Sequence, residues 1–229
     1  MELLETPVFW IGLLKIIWIN IILSGDNAVV IALAARSLPP AQQQKAVLFG
    51  SGAAVVLRIA LTVVAVQLLA MPYLQIVGGL LLLWIGTQLL SEDGEGEGEE
   101  KQYTSLLSAV RTILVADLVM SLDNVIAVAA AAKGSTLLLI LGLAISIPLV
   151  IFGSTLMIRL MERFPIVVTF GAGLIGWVGG ETIVSDNVMA PLLTQMHWLH
   201  TAGPITGAAL VLLIGRWMQK QSSEEPPLS

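Results

Sequence analysis

Runs of about 20 residues with almost no charge recur along this chain from residue 8 to residue 219. Each is long enough to cross a hydrocarbon core of roughly 30 Å as a helix. Lipid offers no partner to an unpaired backbone N–H or C=O, so a spanning segment must satisfy its own hydrogen bonds. These runs also lack the period-two alternation of barrel strands. They predict an all-α polytopic membrane protein with seven transmembrane helices, over 8–33, 46–70, 72–91, 105–132, 136–157, 166–185 and 203–219. With 56% hydrophobic and 12% charged residues, the chain leaves nothing over for a soluble domain, so 1–229 reads as a single integral membrane domain. The connections fit: Leu38-Pro39-Pro40 breaks one polar turn, and Ala70-Met71-Pro72 is tight enough to make the second and third spans antiparallel neighbours.

Cysteine is absent, which removes disulfides, thiolate metal sites and cysteine nucleophiles. The net charge of -5 is gathered largely in one loop, Glu92 to Glu100. That loop belongs to a linker over 92–104, expected to be solvated and cytoplasmic. No basic patch remains for nucleic acid. The segment before the first span carries Glu2 and Glu5 and no Lys or Arg, so the first span is expected to stay as a helix rather than leave as a signal peptide. Lys and Arg then set the orientation. Arg36, Lys45, Lys101, Arg111, Arg159, Arg163, Arg216 and Lys220 fall on one side and only Lys15 and Lys133 on the other, with Arg58 inside the second span. The expected topology has the amino terminus outside and the carboxyl tail in the cytoplasm of a bacterial inner membrane.

The chain repeats itself. At an offset of 97, Ser24-Gly25-Asp26-Asn27 lies on Ser121-Leu122-Asp123-Asn124, and Asn20 lies on Asp117. At 92, Gly50 meets Gly142; at 93, Pro72, Gly78, Trp84, Gly86, Gln88 and Asp93 meet Pro165, Gly171, Trp177, Gly179, Glu181 and Asp186. Repeat one (8–91) thus returns as repeat two (105–185), with 203–219 as an extra carboxyl-terminal helix. An odd number of spans per unit inverts the second copy, the architecture of secondary transporters that bind their substrate where the halves meet near the midplane.

Four acids fall within the spans: Asp26, Asp117, Asp123 and Glu181. Intramembrane acids are costly and mark functional sites. At 100° per residue, Asp117, Ser121 and Asn124 lie within about 60° of one another, as do Asn20, Ser24 and Asn27, so each copy carries one polar stripe. Asp26 and Asp123 point off these stripes unless the helix opens beside them, which Gly25 permits in the first copy. Oxygen donors without Cys or His suit hard or borderline cations such as Mg²⁺, Ca²⁺ and Mn²⁺. Facing carboxylates would also take up protons when empty, so such a site can alternate between a divalent cation and protons. The alternative for these acids is interhelical polar contact, with Arg58 as neutraliser. Gly176 and Gly180 predict close helix packing that brings Glu181 toward its partners, while His197 and His200 read as an ordinary interfacial loop pair, with metal collection as the alternative.

Through Ser24-Gly25-Asp26-Asn27-Ala28-Val29-Val30, Asp117-Leu118-Val119-Met120-Ser121-Leu122-Asp123-Asn124 and Gly179-Gly180-Glu181, the chain resembles the TerC family of bacterial integral membrane proteins over nearly its whole length. That family is named for an association with tellurite resistance, and several members are linked to manganese efflux. The resemblance implies that Asp26, Asn27, Asp117, Asp123, Asn124 and Glu181 handle metal. It makes the expected function export of a divalent cation, Mn²⁺ first, as a transported substrate rather than a cofactor. No spans carry a nucleophile with a partnering base, so the chain is not expected to be an enzyme. The lipid bilayer and the metal ion are the expected partners, with the oligomeric state, a homodimer included, left open. Two other readings stand beside this one: an exporter of a small organic cation or amino acid, and a membrane scaffold or assembly factor for secreted or resistance proteins.

Overall fold

Where the apolar runs end, turn chemistry takes over. The computed structural model describes residues 7–22, 25–69, 71–91, 105–132 and 136–224. Its helices are α1 (Pro7–Ile22), α2 (Gly25–Arg36), α3 (Pro40–Leu69), α4 (Leu74–Ser91), α5 (Leu106–Ala132), α6 (Thr136–Arg163), α7 (Ile166–Val184), α8 (Ala190–Gln195) and α9 (Leu199–Glu224), with a 3-10 turn at Asn187–Met189 before α8. No strand occurs among the described residues. Five helices there are long and apolar enough to cross a membrane: Pro40–Thr62, Leu74–Ser91, Ile140–Arg163, Ile166–Val184 and Leu199–Gln221. The chain is a polytopic helical membrane protein.

Two differences from the expected spans have a physical cause. Several helices outrun their apolar runs, α3 beginning at Pro40 and α9 reaching Glu224, because lipid dictates only the apolar stretch and polar residues continue a helix into water. Proline is well placed at Pro40, since the first helical N–H has no partner inside the helix anyway. The expected first span, 8–33, is occupied by two helices, α1 and α2, of 16 and 12 residues. Its counterpart α5 runs unbroken for 27 residues. The acidic linker 92–104 lies outside the described residues.

The core sits where α2, α4, α5 and α7 meet, around Leu33, Leu82, Ile113 and Ile175. Around it α3 packs along α5, α6 covers α1 and α2, and α4, α7 and α9 pack against one another. Glycine sets the spacing of that trio. A Cβ on Gly79 would stand 2.5 Å from the Gly179 carbonyl oxygen, one on Gly176 2.6 Å from that of Gly207, and one on Gly180 would strike the Gly203 carbonyl. The helices therefore touch backbone to backbone, as the Gly176–Gly180 spacing predicts. Large apolar side chains cover the outside, Phe170 at 79% exposure and Phe152 at 70% among them. In water such a surface would be an aggregation hazard, whereas in lipid it costs nothing.

Side chains tie the ends of the helices together. The Gln43 amide, in the first turn of α3, donates to the carbonyls of Arg36 and Leu38, and Arg36 Nη2 donates to the Leu89 carbonyl at 3.1 Å. This joins the last turns of α2 and α4. At the opposite ends of α4 and α7 another tie, through Asp186, holds the pair.

Candidate functional site

The α3–α5 seam carries a buried ion pair. It is tight because Gly50 leaves room for Ile113: a Cβ there would lie 2.8 Å from Ile113 Cδ1. One turn beyond Ile113 on α5 stands Asp117, and another turn on, Ser121. Helical side chains lean toward their own amino terminus, so Arg58, two turns beyond Gly50 on α3, reaches back to them. Arg58 Nη2 donates to Asp117 Oδ1 at 2.6 Å and Arg58 Nε to Ser121 Oγ at 3.0 Å, while Ser121 Oγ donates to Asp117 Oδ2 at 3.1 Å. Both charged side chains are shielded, at 6% and 5% exposure. The result is a closed triangle in which each carboxylate oxygen has a donor.

The expected stripe on α5 is thus realised for Asp117 and Ser121, and Arg58 is the neutraliser of Asp117. A buried pair of this kind holds its geometry firmly, because removing either partner strands a charge at a cost of about 3–5 kcal/mol. On the neighbouring α2, the first-turn N–H of Asn27 donates to Asp26 Oδ1 at 2.8 Å. Asp26 is half-buried and within electrostatic reach of both Arg58 and Asp117. Asn27 is buried beside it. Asp26, Asn27, Arg58, Asp117 and Ser121 therefore form one polar region at the junction of α2, α3 and α5.

The remaining sequence candidates are placed as follows. Asn124 is half-buried on α5. Glu181 is exposed near the end of α7 that carries the Asp186 tie, and its carbonyl accepts from Ser185 N and Oγ. The close packing at Gly176 and Gly180 exists, but it serves α9 rather than carrying the Glu181 side chain inward. The side chains of Asn20 and Asp123 lie outside the described residues, as does Ser24. Among the described residues no three acidic or histidine side chains cluster as a ready metal cage. Gln88, the repeat mate of Glu181, lines a small cleft between α2, α4 and α5 with Ala34, Ser108 and Thr112.

Sequence reasoning missed the role of Asp186. Its Oδ1 accepts from Tyr73 N at 3.3 Å and Val188 N at 2.9 Å, and its Oδ2 from Gln75 N at 3.1 Å and Ile76 N at 3.2 Å. One carboxylate therefore caps α4 across the fold and the 3-10 turn in its own strand of chain. Shielding from solvent opposes ionisation, but the backbone N–H groups of Val188, Ile76, Tyr73 and Gln75 together outweigh it and hold this carboxyl below its usual range. Tyr73, beside it, takes a φ of 65°, a left-handed conformation costly for an aromatic residue. The signal in the sequence was the recurrence of an acid just past the ends of the third and sixth spans, as Asp93 and Asp186.

This helical body, with its charged seam, matches the family model for integral membrane TerC proteins over residues 5–223. The chain belongs to the TerC family. Among similar proteins, the Bacillus subtilis membrane protein YjbE, described as uncharacterized, is 45% identical over 212 residues, covering 93% of this chain and 97% of its own length. The inner membrane protein YgdQ of Escherichia coli, a UPF0053 protein, is 26% identical over 79% of this chain and 83% of its own. YoaE, another E. coli inner membrane protein of that group, is 34% identical over 55% of this chain, but the match spans only 28% of YoaE. No solved structure matches.

Proposed function

We propose that this TerC protein exports a divalent cation from the bacterial cytoplasm, Mn²⁺ first among candidates, by alternating access of two inverted three-helix halves. The observation that carries the proposal is the polar region at the junction of α2, α3 and α5, where Asp26 lies within electrostatic reach of the buried Arg58–Asp117–Ser121 triangle. Charge held inside a membrane protein is expensive and is retained where an ion must pass. In this reading Asp26, Asn27, Asp117, Asp123, Asn124 and Glu181 handle the cation through oxygen donors suited to Mn²⁺, Ca²⁺ or Mg²⁺.

Seven spans follow if α1 and α2 together make the first and α5 the fourth. Contacts between helices support the inverted halves. Gly50 packs on Ile113, and their repeat mates Gly142 and Ile16 also pack on each other. As α3 lies on α5, so α6 lies on α1 and α2; as α4 touches α5, so α7 touches α2. The amino terminus is placed outside and the tail inside by the Lys and Arg distribution. Export of a doubly charged ion against an inside-negative potential costs about 4.6 kcal/mol per 100 mV, and protons are the natural coupling ion. The chain acts as a transporter, not an enzyme.

Purified protein in liposomes, offered Mn²⁺, Ca²⁺, Mg²⁺ and Zn²⁺ with and without a proton gradient, tests the proposal. Asp26→Asn and Asp123→Asn are expected to abolish transport while the proteins still insert and purify as wild type. Unchanged transport in both would refute the assignment of the site. The complete pairing of Asp117 favours a second reading, a membrane scaffold or assembly factor, in which the wild type moves no ion. An exporter of a small organic cation or amino acid would transport without competition from Mn²⁺.

A further inference from the structure

The geometry points to Arg58 as a tethered cation that holds the place of the transported ion at Asp117 and is displaced when the ion binds; this rests on the transport reading above. Three observations lead there. First, Arg58 engages Asp117 Oδ1 directly and Ser121 engages Oδ2, so a cation arriving at this carboxylate either shares it with the guanidinium or takes the guanidinium's place. Second, α2, which carries Asp26, packs on both α3 and α5, so the fixed positive charge of Arg58 stands at a junction with acids on two different helices. Third, Arg58 stands on α3 while both acids stand on α2 and α5. Its release therefore loosens α3 from α5 at the same step that a cation bridges α2 and α5.

The charge balance explains why an arginine is useful there. Arg58 places one positive charge beside the carboxyl groups of Asp26 and Asp117, so it offsets negative charge there whenever the substrate is absent. Without Arg58 that offset would be lost, and exposure of the empty region to the opposite side of the membrane would work against the field and against desolvation. Arginine keeps its proton in proteins, so this neutralisation does not vanish with pH as a lysine's or histidine's could. A guanidinium carries one charge and the substrate two, so the ion can win the contest for Asp117 when present and yield it when gone.

A fixed cation beside a carboxylate competes with any other cation by roughly tenfold to a thousandfold. Arg58→Gln is therefore expected to bind Mn²⁺ at least about tenfold more tightly than wild type, measured by titration calorimetry on protein in detergent. In liposomes, exchange of Mn²⁺ for Mn²⁺ is expected to persist while net transport slows, because only net transport requires the empty protein to return. Tighter binding together with a loss confined to net transport is the combination that a merely structural arginine would not produce on its removal. Arg58→Lys keeps the charge but loses the planar fork, so it is expected to fall between the two and carries the test if Arg58→Gln does not fold. Unchanged or weaker Mn²⁺ binding in the folded variant overturns the displacement role and leaves transport standing. A wild type that binds none of Mn²⁺, Ca²⁺, Mg²⁺ and Zn²⁺ overturns both.

Discussion

Replacing Asp186 by Asn isolates the tie between α4 and α7, because it preserves shape and removes one accepting oxygen and the charge. The oxygen lost serves two N–H groups, as either pair, Tyr73 with Val188 or Gln75 with Ile76, shares one atom. Hydrogen bonds to a charged acceptor contribute about 1.5–3 kcal/mol each. Water can reach the freed groups only in part, since Gln75 is itself 6% exposed. The net loss is about 2–4 kcal/mol, larger than the ~0.5–2 of an ordinary helix cap because two elements lose their cap together. Such a loss lowers the thermal midpoint by roughly 4–16 °C in a chain of this length. Tryptophan fluorescence of purified protein in detergent reads it directly. The pH dependence has a definite sign. The carboxyl is held below its unfolded value of 3.8, so the tie is fully present above that pH and is lost as pH falls below it toward the folded value. Wild type and Asp186→Asn should therefore differ most at neutral pH and converge in acid. A variant within about 1 °C of wild type at pH 7, or a gap that widens in acid, refutes the argument.

Two further substitutions probe the packing. Gly207→Val drives a side chain into the Gly176 carbonyl and is expected to cost about 1–3 kcal/mol or more by forcing α9 off α7. Gly52→Ala, with nothing within 4 Å of its Cβ, should gain up to about 1 kcal/mol from helix propensity; equal midpoints for the two would refute the close-contact account. Tyr73→Gly relieves a left-handed φ of 65° and is expected to stabilise by about 1 kcal/mol, seen as a higher midpoint in the same fluorescence scan; a fall would mean that the ring contributes more than the backbone strain costs.

The solvent made much of the fold legible. Apolar runs in lipid must be helices, and their ends are marked by Pro40, Pro72 and Pro165, so the existence and order of the long helices followed from the residues. The glycines of the sixth span likewise announced a close crossing. The sequence could not say with which neighbour: Gly176 and Gly180 meet α9, and Glu181 next to them stays exposed. Spacing placed Asp117 and Ser121 on one face of α5, and they do bond, because four residues make about one helical turn and the relation is local.

Arg58 marks the boundary between the two kinds of knowledge. By sequence alone it was a lone cation in an apolar run, equally able to pair with any of four acids or with none. Which acid it meets depends on how far α3 is shifted along α5, and that shift is set by Gly50 closing on Ile113, a contact between residues 63 positions apart (113 minus 50). The same holds for Asp186, whose partners Tyr73, Gln75 and Ile76 are brought to it only when α4 and α7 cross. Sequence by itself determined that this chain is a bundle of membrane helices carrying buried acids, because hydropathy and helical periodicity act within one segment. Tertiary structure decided which acid is neutralised and which carboxylate ties the helices, because a charge buried in low dielectric is governed by the partner within about 3 Å, and that partner comes from another helix.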